Sequence, residues 1–211
     1  MKPQLGDTIL NRYTLVSSLR EEPGIQAWKA NDRVLAKDCQ LFIITDRSAF
    51  AAIDKLAGRI AATRPDRVIP ILKYRMESDV LLIVMPVDSG QCLTDYMVDT
   101  AKPLSYSAIR SIIGECADVL REVIADTPSG IVITTDTVRV TTSGVQIADA
   151  PCATMLADTS ATDLRTDGPE RYAIRQLAAL LYTLLTRTPS QATPHPNPCV
   201  PCRKTPLANS A

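Results

Sequence analysis

Residues 12–18 alternate loosely between polar and apolar and predict a strand, because side chains of a strand point to opposite faces with a period of two. Arg20, Glu22, Pro23 and Gly24 then predict a turn, and residues 25–30 a returning strand. Pro presets φ and Gly admits positive φ, so the two strands form a hairpin. Residues 41–44, Leu-Phe-Ile-Ile, are a short apolar run of strand formers and predict a third strand. The period then lengthens. Phe50, Ile53, Leu56 and Ile60 recur at threes and fours, with Asp46 or Ser48 placed to cap a helix and Pro65 to stop it. Residues 68–72 and 80–84 predict two further strands around a polar turn at Glu77, Ser78 and Asp79. The first 87 residues therefore read as a five-stranded antiparallel sheet with one helix after its third strand.

The second half is dominated by longer periods. Ser105 or Ser107 caps a long helix with Ile109, Ile112, Ile113, Cys116, Leu120 and Val123 on one face. Residues 138–142 and 145–148 predict a tight hairpin around Ser143 and Gly144. A loop is expected over 150–167, rich in Ala, Thr and Asp. Pro169 and Glu170 then open a helix to about Leu185, on which Ile174, Leu177, Leu180, Leu181 and Leu184 nearly complete a circle. A helix apolar on all sides is expected in a core. Five prolines between Pro189 and Pro201 exclude helix and sheet and predict a disordered tail. The expected organisation is an α+β protein: a sheet-bearing lobe over 6–90, a mainly helical lobe over 91–187 and a Pro-rich tail over 188–211.

Composition narrows the function. The 211 residues are 45% hydrophobic, a globular balance. Lys plus Arg and Asp plus Glu number 23 each, so the net charge is zero and the chain lacks the basic footprint of a nucleic-acid binder. The first residues carry no apolar signal segment, and the longest strongly apolar run, 80–87, is far too short for a bilayer. The six cysteines, at 39, 92, 116, 152, 199 and 202, are mostly scattered singly, as in a reducing compartment. A cytoplasmic protein without a transmembrane segment is expected. His195 with Cys199 and Cys202 lacks a fourth ligand and a scaffold, so no metal site is expected there. Trp28, on a strand, reads as core or lobe packing before it reads as a surface anchor.

Local motifs in this order resemble those of bacterial Ser/Thr protein kinases over roughly residues 6–190. Gly6, Asp7 and Thr8 through Tyr13 resemble the lead-in to a kinase's first strand, and Trp28 through Asp38 the second strand and the turn beyond it. Leu82 through Met85 is similar to a kinase hinge, Gly130 through Val132 to the approach to the catalytic loop, and Val145 through Asp149 to the strand ending in the metal-binding Asp. Leu177 through Thr186 resembles the buried helix after the activation loop. The turn Glu22, Pro23, Gly24 and the strand containing Trp28 resemble, more closely, the kinase-like domain of actinobacterial MviN-type lipid II flippases.

Phosphoryl transfer needs a Gly-rich loop, a third-strand Lys, its Glu partner, a base Asp, an Asn and a metal-binding Asp. By the resemblance, the Gly-loop positions hold Arg20, Glu22 and Ile25, and the Lys position holds Phe42. The partner Glu falls near Lys55, the base falls on Thr135, and the Asn has no counterpart. Asp149 alone survives, in Asp149-Ala150-Pro151. The resemblance thus implies a truncated kinase-like fold that is catalytically inactive, a pseudokinase acting as a regulatory or interaction module in cell-wall synthesis. No cofactor is expected. The alternative is a divergent kinase or ATP-binding sensor in which Asp149 helps to hold ATP with Mg²⁺. Thr154, Thr159, Thr162 and Thr166 are candidate phosphoacceptors, since an exposed loop is what a kinase reaches. The implied partners are a Ser/Thr kinase and an FHA-domain protein.

Overall fold

The computed structural model describes residues 3–77, 79–98, 103–126, 131–153 and 161–187. Its first lobe holds strands β1 (Thr8–Ile9), β2 (Tyr13–Glu22), β3 (Ile25–Asp32) and β4 (Lys37–Ile44), helix α1 (Arg47–Thr63), and strands β5 (Lys73–Glu77) and β6 (Val80–Pro86). The six strands form one antiparallel sheet in the order β1-β2-β3-β4-β6-β5. Alternation along β4 sorts its residues between two clusters. Phe42 and Ile44 join Ile25, Ala27, Leu81 and Ile83 against Phe50, Ile53 and Ala57 of α1. Leu41 and Ile43 join Tyr13, Leu15, Trp28 and Val84 on the other face. Trp28 is thus a core residue, 8% exposed.

The turns follow from local chemistry. Pro23 and Gly24 link the paired residues Glu22 and Ile25. Gly24 has φ 78°, and a Cβ there would lie 2.7 Å from that of Asp46, so only glycine fits. Asp46 is the N-cap of α1, accepting the Ser48 N–H at 2.9 Å. Arg64 closes the helix in the left-handed region, its N–H donating to the Ile60 carbonyl, and Pro65 follows. Asp32 ends β3 by accepting the N–H groups of Val34 and Leu35 and both arms of the Arg12 fork, at 2.9 and 2.7 Å. These bonds, Arg12 first, hold its carboxyl down to about 2.

One expected strand is displaced. Residues 68–71 do not join the sheet; the Leu72 N–H donates to the Val84 carbonyl of β6 and leads into the strand, Lys73–Glu77, every residue of which is exposed. Val68 is buried and makes a parallel bridge to Ile147 of the other lobe, with Ile69 and Arg67 exchanging backbone hydrogen bonds with Ile147. Its apolar run reads as a strand in sequence because a lobe junction demands the same residues.

The second lobe contains β7 (Gln91–Cys92), α2 (Leu93–Val98), α3 (Tyr106–Asp126), β8 (Val138–Thr141), β9 (Gly144–Ile147) and α4 (Ala161–Thr186). Ser105 caps α3, its Oγ accepting the Ala108 N–H. The small strands pair in the order β7-β8-β9. Ile109, Ile112, Cys116, Leu120 and Val123 of α3 pack with Leu180 and Leu184 of α4 and with Val138 and Ile147 of the hairpin.

Two further expectations change here. Residues 161–167, expected in a loop, are helical; α4 breaks at Gly168 (φ 76°, ψ 163°), and Pro169 starts its second part. Nor is α4 buried on all sides: Ile174 is 65% exposed and Leu185 50%. Apolar residues encircle the helix, but the lobe covers only one side. The expected tail, 188–211, lies outside the described residues.

Candidate functional site

Phe42 and Asp149, both singled out from the sequence, lie at the junction between the lobes, where two kinds of contact are made. The first is apolar. Phe42, which the sequence resemblance sets at the Lys position, is 2% exposed. Its cluster runs through Met85 of β6 and Ile69 into Ala148 and Cys152, which flank Asp149 in the second lobe. Burial pushes the Cys152 thiol well above its ordinary pKa, so it is a small hydrophobe.

The second is a chain of polar groups. Gln40 shares a strand face with Phe42, two residues away, and donates through Nε2 to Asp88 Oδ1 at 3.0 Å. Asp88 lies on the connection between β6 and β7, and its other oxygen accepts from Arg139 Nε on β8. Arg139 Nη1 also donates to the Asp136 carbonyl and lies 3.3 Å from Cys92 Sγ. The sheet of one lobe is thus tied to the hairpin of the other through one carboxylate. Arg139 is 9% exposed. Burial opposes its charge, but Cys92, Asp149 and Asp88 outweigh it and hold the guanidinium above the usual arginine pKa. The Asp136 carboxylate, also buried, accepts from Thr94 Oγ1 at 2.7 Å.

Asp149 faces this group. It is half-buried with φ 56°, and its backbone carbonyl accepts from the N–H groups of Cys152 and Ala153. Burial raises its carboxyl pKa; Arg139 and Arg20 pull it down, while Asp88 and Asp136 push it up. Arg20 comes from β2, where register shifts between Leu15 and Ser17 and between Ser18 and Arg20 each mark a bulge. Its side chain is 11% exposed, 3.7 Å from Glu22, and its Nε and Nη2 are buried without a hydrogen-bond partner.

Of the residues singled out from sequence, Phe42 and Asp149 lie at this junction, joined by the cluster through Ala148. Lys55 does not: it is exposed on α1, while Ile53, Leu56 and Ala57 turn inward. Thr135 lies beneath α2, its carbonyl accepting from the Thr94 N–H and the Cys92 thiol. Thr154 and Thr159 are outside the described residues. Thr162 and Thr166 fall in the first part of α4, where the backbone alone is described. Gln40, Asp88 and Arg139 were missed as site residues. Arg139 occupies the alternate position of a short strand, where a charged residue ordinarily signals solvent. Gln176 was missed for a similar reason. A single amide on an apolar helix, it is buried, accepting from the Ile133 N–H at 2.6 Å and donating to the Ile131 carbonyl at 3.2 Å.

A third joint closes the far edge. Glu115 of α3 accepts from Arg67 and from the Val145 N–H. A Cβ on Gly144 would meet Glu115 Oε2 at 2.4 Å and Arg67 Nη1 at 2.8 Å. Among the described residues no group of His, Cys, Asp and Glu is gathered to hold a metal ion, and no helix is long and apolar enough to cross a membrane.

Compared with known proteins, the sequence matches no family model and no curated protein. The fold does match. The crystal structure of the M. tuberculosis PknI kinase domain is similar with a TM-score of 0.70 at 16% identity, over 89% of this chain and 77% of that one. The chain therefore has a protein-kinase-like fold, with a curled antiparallel sheet in one lobe and a mainly helical, shortened second lobe.

Proposed function

We propose that this chain is a kinase-fold regulatory or interaction module that does not transfer phosphate. The observation that carries the reading is Phe42. A buried phenyl ring lies inside a cluster that continues across the lobe junction, at the position where the kinase resemblance would set a charged lysine. Beside it, the Gln40–Asp88–Arg139 bridge occupies the space between sheet and hairpin with the protein's own side chains. A nucleotide entering there would have to separate both contacts. With no lysine at Phe42 and no base at Thr135, it would meet neither the positioning nor the charge stabilisation that phosphoryl transfer uses.

Thermal denaturation with and without millimolar ATP and Mg²⁺ tests this reading, because a ligand of the native state raises the midpoint. An unchanged midpoint is expected, together with no label transferred from γ-labelled ATP to the chain or to a generic protein substrate. Transfer of label would overturn the proposal. A second reading, an ATP-binding sensor, is favoured by Asp149 and by the buried, unbonded guanidinium nitrogens of Arg20. It requires a raised midpoint without transfer.

The module would act in the cytoplasm through protein partners, a Ser/Thr kinase that modifies it and an FHA-domain protein that reads the phosphothreonine. Its place in cell-wall synthesis rests on the resemblance to the MviN-type domain. Thr154, Thr159, Thr162 and Thr166 are the proposed acceptors. Mass spectrometry after incubation with an active Ser/Thr kinase should find phosphate on at least one of them. Four unmodified threonines would remove the phospho-switch while leaving the inactive module standing.

A further inference from the structure

The second part of α4 has one face in the core and one bare. Tyr172, Ala173, Gln176, Leu180 and Leu184 are buried, whereas Ile174, Leu181, Tyr182 and Leu185 are 65%, 38%, 53% and 50% exposed. Ala178 is exposed among them. Ile174, Ala178, Leu181 and Leu185 follow one another at spacings of four, three and four, the interval at which a helix presents a continuous seam to a second helix.

We propose that this seam is the interface between two copies of the chain, with α4 packed antiparallel on its two-fold equivalent. Two features select a second copy as the occupant. The stripe is self-complementary, as a two-fold interface requires: about an axis midway between Ala178 and Leu181, each Ala178 faces the other copy's Leu181, and each Ile174 faces the other copy's Leu185. A small residue opposite a large one at the centre allows the helices to approach to about 8–10 Å. The area is also sufficient. Ile174, Ala178, Leu181 and Leu185 with the neighbouring Tyr182 expose on the order of 500 Å² per copy, so complete burial of all five covers roughly 1,000 Å² in the pair, the lower bound of a specific interface. The dimer is therefore weak, and it is independent of whether the lobe junction takes nucleotide.

Sedimentation equilibrium of the full chain, from micromolar to several hundred micromolar, tests it. The mass should rise from the monomer's 22.9 kDa toward twice that value. Leu181→Glu, and separately Ile174→Glu, should weaken association at least about 100-fold by burying an unpaired charge in the seam. Ile174 is mostly exposed in the monomer, so Ile174→Glu keeps the thermal midpoint of the dilute protein and remains informative if Leu181→Glu fails to fold. A monomer at every concentration overturns the proposal, and so does a dimer that Ile174→Glu leaves undiminished.

Discussion

The two lobes are joined side by side by an apolar contact and a charged one, and the two differ in what they demand. Phe42, Ala148 and Cys152 need only matching shape; their attraction is non-directional and nearly indifferent to pH. Gln40, Asp88, Arg139 and Asp149 depend on the Arg139 guanidinium, which is held by both carboxylates and in turn offsets their mutual repulsion. Removing Arg139 leaves two largely buried carboxylates without their counter-charge. The apolar joint confers strength and the charged joint confers register, fixing which strand of one lobe faces which strand of the other.

Arg139→Ala is the largest expected break. It strands Asp88 and Asp149 without their counter-charge and should cost about 3–5 kcal/mol at neutral pH in denaturant unfolding. The loss should shrink on acidification. A carboxyl with a raised folded-state pKa, such as Asp149, opposes the fold less once protonated, so the penalty is full at neutral pH and fades as pH falls through that raised range. A loss that stays constant from neutral to acid pH would show that Arg139 acts by packing alone.

Phe42→Ala is expected to cost about 3–4 kcal/mol through lost burial and the cavity left behind. Here the loss should be the same at neutral and mildly acidic pH. A strong pH dependence would erase the distinction between the joints.

Gly144→Ala touches the third joint. Gly144 has φ 123°, and its added Cβ would press on the Arg67–Glu115 pair, so a loss of about 1–3 kcal/mol is expected, read as a lowered denaturation midpoint. Removing Glu115 in the same chain should diminish that loss, since part of the clash goes with it.

Asp32→Asn serves as the smallest case, a charged pair within one lobe. Arg12 is 30% exposed, so solvent screens the pair, and the smallest loss of the set is expected at neutral pH, read as a slightly lowered denaturation midpoint. Asp32 has a lowered pKa, about 2. Its contribution is therefore present above the ordinary carboxylate range and is lost as pH falls toward 2. Wild type and variant should converge in acid, and the variant should leave the joint untouched.

Local rules determined much of this protein. Period two along 12–18 and 25–30, the Pro23–Gly24 turn, the Asp46 cap and the spacing of Ile53, Leu56 and Ile60 each depend on residues close in sequence, and each element formed there, although the strand expected over 12–18 runs on through Arg20 and Glu22, which were expected in the turn. The burial of Phe42 was equally legible, because an apolar residue flanked by Leu41, Ile43 and Ile44 has only a core to enter. What adjacent residues could not decide was pairing across the chain. The run 68–72 looks like a strand of the first sheet, yet Val68 bridges to Ile147, 79 positions later. Arg139 has the pattern of a solvent-facing strand residue until Asp88, 51 positions earlier, supplies its counter-charge. Which side of α4 is covered likewise depended on where α3 and the hairpin came to rest. Sequence fixes the period of each element through local sterics and burial. Only the tertiary structure brings distant charges within hydrogen-bonding distance, and so decides which polar residue is buried, which apolar one is bare, and that the junction is filled.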